Sequence, residues 1–156
     1  MRVYSFRNVT ATIDAVHEIT GWGKGDDVVS ATRNADAGSL SIGADGASVV
    51  SMSADRSGEV TLKLRQTSSS NRYLLNRYQQ FEAGPATYVP IGLTVTDVHR
   101  LDKVVGINGF IKKLPDMKRG AEASEQEWTL VFEELYIDLG DARGAGTPSS
   151  LAEAAG

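Results

Sequence analysis

The side chains able to do chemistry are sparse, and their spacing opposes most reactions. The chain has two histidines, His17 and His99, and no cysteine. A serine hydrolase needs a histidine held beside a serine and an acid, and no Gly-x-Ser-x-Gly turn offers that serine. The missing thiols remove disulfides, zinc–thiolate sites, iron–sulfur clusters and cysteine nucleophiles together. Gly21-Trp22-Gly23-Lys24-Gly25 loosely resembles a loop that cradles phosphate. Such a loop ends in Gly-Lys-Ser/Thr at a helix N-terminus, whereas here Asp26 and Asp27 put negative charge where a phosphate would sit. Asp26, Asp27 and Asp36 lack the Asp-x-Asp-x-Asp-Gly spacing and distal glutamate of a calcium loop and read as solvated turn acids. Lys112-Lys113 is too small a basic patch to bind nucleic-acid phosphate on an acidic chain. Tyr73, Tyr78 and Phe81 read as core more readily than as a platform for stacked bases. No catalytic, cofactor-binding or metal-binding set emerges. The chain reads as non-enzymatic and without cofactors.

The elements that hold these residues are mainly strands. At 156 residues the chain fits one domain with a core of its own. The opening MRVYSFRNVT alternates polar and apolar residues and is not a signal peptide. No apolar run reaches the ~20 residues of a membrane span. A soluble protein made in the cytoplasm is therefore expected. Residues 3–16 are rich in aromatic and β-branched types and read as strand. Residues 28–34 and 39–43 read as two short strands forming a polar hairpin. Asp45-Gly46 centres the next tight turn, and residues 47–54 form another strand. From 59 to 67, Val60, Leu62 and Leu64 alternate with Glu59, Thr61, Lys63 and Arg65. A helix follows over about residues 70–83. It opens among Ser68–Ser70, carries the stripe Leu74, Tyr78 and Phe81, and stops at Gly84-Pro85. Residues 91–98, 103–114 and 127–139 read as strands, with Gly106 and Gly109 marking a bulge or a close approach of backbone. The Gly/Ala-rich segment 140–156 reads as a tail after a β domain spanning 1–139.

Charge is segregated along the chain. Residues 56–77 hold Arg56, Lys63, Arg65, Arg72 and Arg77 against Glu59, while residues 116–141 hold eight acids against Lys118 and Arg119. Two solvated faces would account for this. So would an acidic edge of one copy meeting the basic edge of another, with Arg56, Lys63 and Arg65 facing Glu125, Glu127 and Glu133.

The order of the pieces resembles a known family. Tyr4-Ser5-Phe6-x-x-Val9-x-Ala11-Thr12 is followed by Ser41-Ile42-Gly43-Ala44-Asp45-Gly46. Next come Ser57-Gly58-x-Val60-Thr61-Leu62-x-Leu64 and Thr67-Ser68-x-x-Asn71 opening the helix. Trp128-x-Leu130-x-Phe132 closes the series. This order is similar to that of the tail tube proteins of contractile-tailed bacteriophages. The resemblance implies a β-barrel or sandwich with one packed α-helix, joining edge to edge into rings, typically hexameric, that stack into a hollow tube of the virion tail. It implies no enzyme activity and no cofactor. The implied partners are further copies of the chain, the tail sheath, baseplate and tail terminator proteins, a tape measure protein in the lumen, and viral DNA passing through. On this reading Asp26, Asp27, Arg33, Asp36 and Asp45 line the lumen or lap the adjacent ring, and the chain is made in the host bacterial cytoplasm. The tube protein of a bacterial contractile injection system shares the architecture and is the main alternative. A monomeric ligand-binding β-barrel is a second, opposed by the polar or small residues of 28–46.

Overall fold

The computed structural model describes residues 6, 9–24, 27–98, 101–122 and 124–140. Asp26, His99, the first five residues and the tail from 141 onward lie outside the described residues. In chain order the elements are β1 (Val9–Ile13), β2 (His17–Glu18), β3 (Val29–Arg33), β4 (Gly38–Ile42), β5 (Ser48–Met52), β6 (Gly58–Arg65), α1 (Ser70–Glu82), β7 (Ile91–Asp97), β8 (Asp102–Lys113) and β9 (Glu125–Asp138). Among the described residues the fold is mainly β with one helix, as the sequence implies.

Seven strands form one antiparallel sheet in the order β2-β1-β7-β8-β9-β6-β3. β2 and β3 are its two edges, so the sheet is not closed. It nevertheless folds over on itself, because one cleft is lined by Val29 and Ala31 of β3 together with Val9 of β1, Val95 of β7 and Val104 of β8. Period-two alternation decides which face turns inward. Val60, Leu62 and Leu64 of β6 are fully buried, as are Leu130 and Phe132 of β9, and Ile91 and Leu93 of β7 are nearly so. Each such side chain contributes ~1.5–3 kcal/mol relative to leaving it in water. Ala11 and Ile13 from β1, Ile111 from β8 and Leu74 from α1 complete one cluster.

β8 can follow the fold only because it carries glycines where a ring comes close. A Cβ on Gly106 would lie 2.6 Å from the Phe132 ring, and one on Gly109 would meet the same ring. Between them Asn108 takes φ +56°, and the register with β7 shifts between Ile91 and Leu93. The close approach expected at these glycines is the packing of Phe132.

Two local expectations need correction. The helix stripe is core only at Leu74; Tyr78 is half-buried, and Phe81 is 38% exposed. Phe81 instead stacks on Phe110 with centroids 5.1 Å apart and meets Tyr88 edge-on at 5.4 Å. The last turn of the helix thus ends in a small aromatic cluster of its own. The strand pairing near the N-terminal third also differs. β3 does not pair with β4; it pairs with β6, with Val29 opposite Leu62 and Arg33 opposite Gly58. Residues 28–34 are therefore an edge strand of the main sheet, where Val28 is buried and Val29 and Ala31 pack against the core.

Candidate assembly surfaces

The strand freed by that correction, β4, pairs with β5, with Leu40 opposite Val50 and Gly38 opposite Met52. The turn between them is built as Asp-Gly sequences build it. Gly43 N–H donates to Ala47 O at 2.7 Å, the Asp45 carboxylate accepts Ala47 N–H at 3.0 Å, and Gly46 has φ +86°. Directly opposed residues share a face. One face of the hairpin therefore carries Leu40, Ile42, Val50 and Met52, and the other carries Ser39, Ser41, Ser51 and Val49. Every residue of both strands is exposed, Leu40 at 63%, Ile42 at 65%, Val50 at 69% and Met52 at 89%. A lone two-stranded hairpin is marginal in water, and this one leaves its apolar face open.

The hairpin leaves the body as a prolongation of the β3–β6 pair. Asn34 N–H donates to Ser57 O at 3.0 Å, the Asn34 side-chain amide to Ser57 Oγ at 3.1 Å, and Ser53 N–H to Ala37 O at 2.9 Å. Arg33 Nη2 donates to Asp55 O at 3.3 Å. Asp55 accepts both the hydroxyl and the N–H of Ser57, at 2.6 and 2.9 Å. The Ser57 hydroxyl foremost holds the Asp55 carboxyl below its ordinary range.

The sheet face turned away from the core is the second surface. Lys63 on β6 stands opposite Glu127 on β9, Arg65 opposite Glu125, and Thr61 opposite Thr129. Lys112 Nζ donates to Glu59 Oε1 at 2.8 Å from β8. Asn108 donates to Glu133 Oε2 at 3.1 Å. A cleft of about 330 Å³ beside these pairs is lined by Lys63, Lys113, Glu125, Glu127 and Thr129 with the 114–118 loop. The strand portions of the basic and acidic stretches, β6 and β9, are thus neighbours within one copy.

A third feature fixes α1 to the β1–β2 turn, where Asp14 and Ala15 both have positive φ, 56° and 58°. Asp14 accepts Tyr73 Oη at 2.8 Å, Arg77 Nη2 at 3.5 Å and Gly92 N–H at 3.1 Å, and it is ion-paired with Arg77, whose Nε lies 3.2 Å from the carboxylate. Burial first, and the Asp14 hydrogen bond second, push the Tyr73 hydroxyl above its ordinary pKa. His17 stacks on Tyr73 with centroids 4.2 Å apart, and its Nε2 lies 3.1 Å from Ser70 Oγ. Ser70 is fully buried and accepts Thr20 N–H, so this Ser–His pair is a structural clamp with no reach to a substrate. Ser69, at the helix N-cap, makes no side-chain cap; Ser68 Oγ accepts the Ser70 N–H instead.

The sequence-predicted residues fall into separate groups. Asp27 precedes β3 with φ +54°, Arg33 ends β3, Asp36 sits between β3 and β4, and Asp45 forms the hairpin turn, all exposed. Arg56 O accepts Leu135 N–H at the hairpin stem. Lys63, Arg65, Glu125, Glu127 and Glu133 belong to β6 and β9. The apolar hairpin face was missed, although Asp45-Gly46 between alternating residues is the strongest short hairpin signal a sequence offers. Among the described residues no group of His, Asp and Glu is placed to hold a metal ion, and no helix is long and apolar enough to cross a membrane.

The fold has solved counterparts. The chain is similar to the tube-terminating cap of the anti-feeding prophage, at TM-score 0.59 and 14% identity over 90% of this chain and 93% of that one. It is similar to the sheath/tube terminator of the extracellular contractile injection system PVC in the extended state, at TM-score 0.59 and 13% identity over 88% and 98%. The sheath–tube complex of the same system gives TM-score 0.55 and 13% identity over 84% and 88%. No curated protein sequence matches significantly. The family model of the bacteriophage PhiTE tail tube protein matches residues 1–140. The chain belongs to that tail tube family.

Proposed function

We propose that this tail tube family member forms stacked rings, six copies to a ring, whose hollow core conducts the genome from phage head to host. The observation that carries the reading is the β4–β5 hairpin. Four apolar side chains on one face of a two-stranded sheet have no cover among the described residues of their own chain. A subunit made to remain alone would expose them permanently to aggregation, whereas a subunit made for a tube covers them with its neighbour. The two open edges, β2 and β3, favour the same reading, since a ring can pair edges that a monomer must blunt. The hairpin, with Asp36 and Asp45, then laps the adjacent ring. The polar face with Lys63, Arg65, Glu125 and Glu127 faces the lumen, where DNA or a tape measure protein would pass. A sheath, a terminator and a baseplate are the external partners, the sheath and terminator by analogy with the assemblies named above. The virion tail is the site of action and the host bacterial cytoplasm the site of synthesis.

The tube of a contractile injection system is the second reading, favoured by the fold shared with PVC and anti-feeding prophage components. Negative-stain microscopy of concentrated protein tests both. Rings or hollow tubes are expected; uniform small particles at every concentration would overturn the assembly reading. Copurification of tubes with capsids from infected cells separates phage from injection system.

A further inference from the structure

We propose that the polar face of β6, β8 and β9 is a masked cationic strip, kept from holding a double-stranded polyanion by carboxylates placed opposite its bases. The inference rests on the tube reading for its biological meaning but not for its chemistry. The formal charge of the whole chain is −4, yet this face is not an acidic wall. Lys63 faces Glu127 and Arg65 faces Glu125 in directly opposed positions, and Lys112 reaches Glu59 at 2.8 Å. Three bases and three acids alternate across three neighbouring strands. Lys113 enters the same cleft as Lys63, Glu125 and Glu127. A phosphate backbone is held by cations that release its counterions. Here Lys112 is already ion-paired with Glu59, and Lys63 and Arg65 each stand across from a carboxylate on β9, of which Glu125 also accepts the Lys24 N–H at 2.9 Å, so a passing phosphate must compete with anions fixed by the sheet. The field of such alternating charges also falls off faster than that of a uniform patch, and solution ions screen the rest beyond ~10 Å. A purely acidic wall would hold a polyanion away from the surface; this one lets it pass close without anchoring it.

Removing the mask tests the idea. Glu125→Gln with Glu127→Gln leaves side chains of nearly the same shape and removes the carboxylates that stand opposite Lys63 and Arg65 and share the cleft with Lys113. Dispersed full-length subunits are mixed with a short labelled DNA duplex, and binding is read by fluorescence anisotropy. Wild type should show no binding at low salt. The double variant should bind, and its affinity should fall about 40-fold between 50 and 200 mM salt, as three phosphate contacts require. Adding Lys63→Gln and Lys113→Gln to the double variant should abolish binding. Glu18→Gln with Asp138→Asn makes the same change in net charge elsewhere, at two exposed residues, and should bind no DNA. Binding by wild type, no gain in the double variant, or equal gain in the control pair would overturn the proposal. Circular dichroism of each variant confirms its fold. Microscopy of wild-type tubes is read separately, so absent tubes would count against the tube reading while leaving the masking measured.

Discussion

At the scale of single residues, the structure turns on close contacts that permit few substitutes. Phe132 is fully buried and lies over both Gly106 and Gly109. Gly109→Ala would press a methyl into the ring and against Val131 O at 2.9 Å. Overpacking of this kind costs about 1–3 kcal/mol. The urea midpoint should fall accordingly, and Phe132→Leu in the Gly109→Ala background should recover part of the loss. Full additivity of the two changes would show that they do not share a site. Tyr73 supports a pH prediction. Its folded-state pKa is raised by burial and by the Asp14 bond, above an unfolded value of about 10. The stability it contributes is therefore complete below that unfolded value and is lost as pH rises through the folded one. Tyr73→Phe should cost about 0.5–1.5 kcal/mol at neutral pH by losing one hydrogen bond. Wild type should then destabilise more steeply than the variant above pH ~10. Parallel stability curves on base titration would remove Tyr73 from this role.

At the scale of elements, legibility followed periodicity. β6, β7 and β9 alternate strictly over seven residues or more with bulky members, and α1 has a cap region, a stripe and a Gly-Pro stop, so each could be placed from the sequence alone. The pairing of β3 could not. Its VVSATRN carries too little apolar bulk to reveal that Val28 is buried and that Val29 and Ala31 pack inward, because small residues suffice at an edge where the facing strands come close. The hairpin was hidden for a different reason. Its serines dilute the mean hydropathy, while its apolar residues fall on one face only once the register is known. That face yields an element-level prediction. Leu40→Ser with Val50→Ser removes two exposed apolar side chains from opposed positions. The subunit's melting midpoint should hardly move, since changes at exposed sites usually stay within about 0.5 kcal/mol. Tube yield by microscopy should fall sharply. Loss of subunit stability in step with loss of tubes would mean that the hairpin packs on its own body.

At the scale of the whole molecule, the arrangement of charge bears on what drives assembly. The linear segregation of bases in 56–77 and acids in 116–141 implies copies that dock by opposite charge and separate as salt rises. The folded chain distributes these groups otherwise, since Lys63, Arg65, Glu125 and Glu127 are cross-strand neighbours within one copy. Exposed ion pairs are worth about 0–1 kcal/mol and are screened by salt. An apolar side chain that passes from exposed to buried is worth ~1.5–3 kcal/mol and is not weakened by salt. With Leu40, Ile42, Val50 and Met52 on one face of each hairpin, the apolar contribution outweighs the ionic one. Tube yield should therefore hold or rise from low to high salt, measured by sedimentation of assembled from free protein. Hydrogen exchange on the same samples locates the cause. Gly38–Met52 should exchange quickly in the free subunit, where the hairpin has only its own ladder, and slowly in the tube, where a neighbour covers it. The fully buried strands of the main sheet should be protected in both states. Tubes that dissolve as salt rises, while the hairpin exchanges equally fast before and after assembly, would return the driving force to the charged faces.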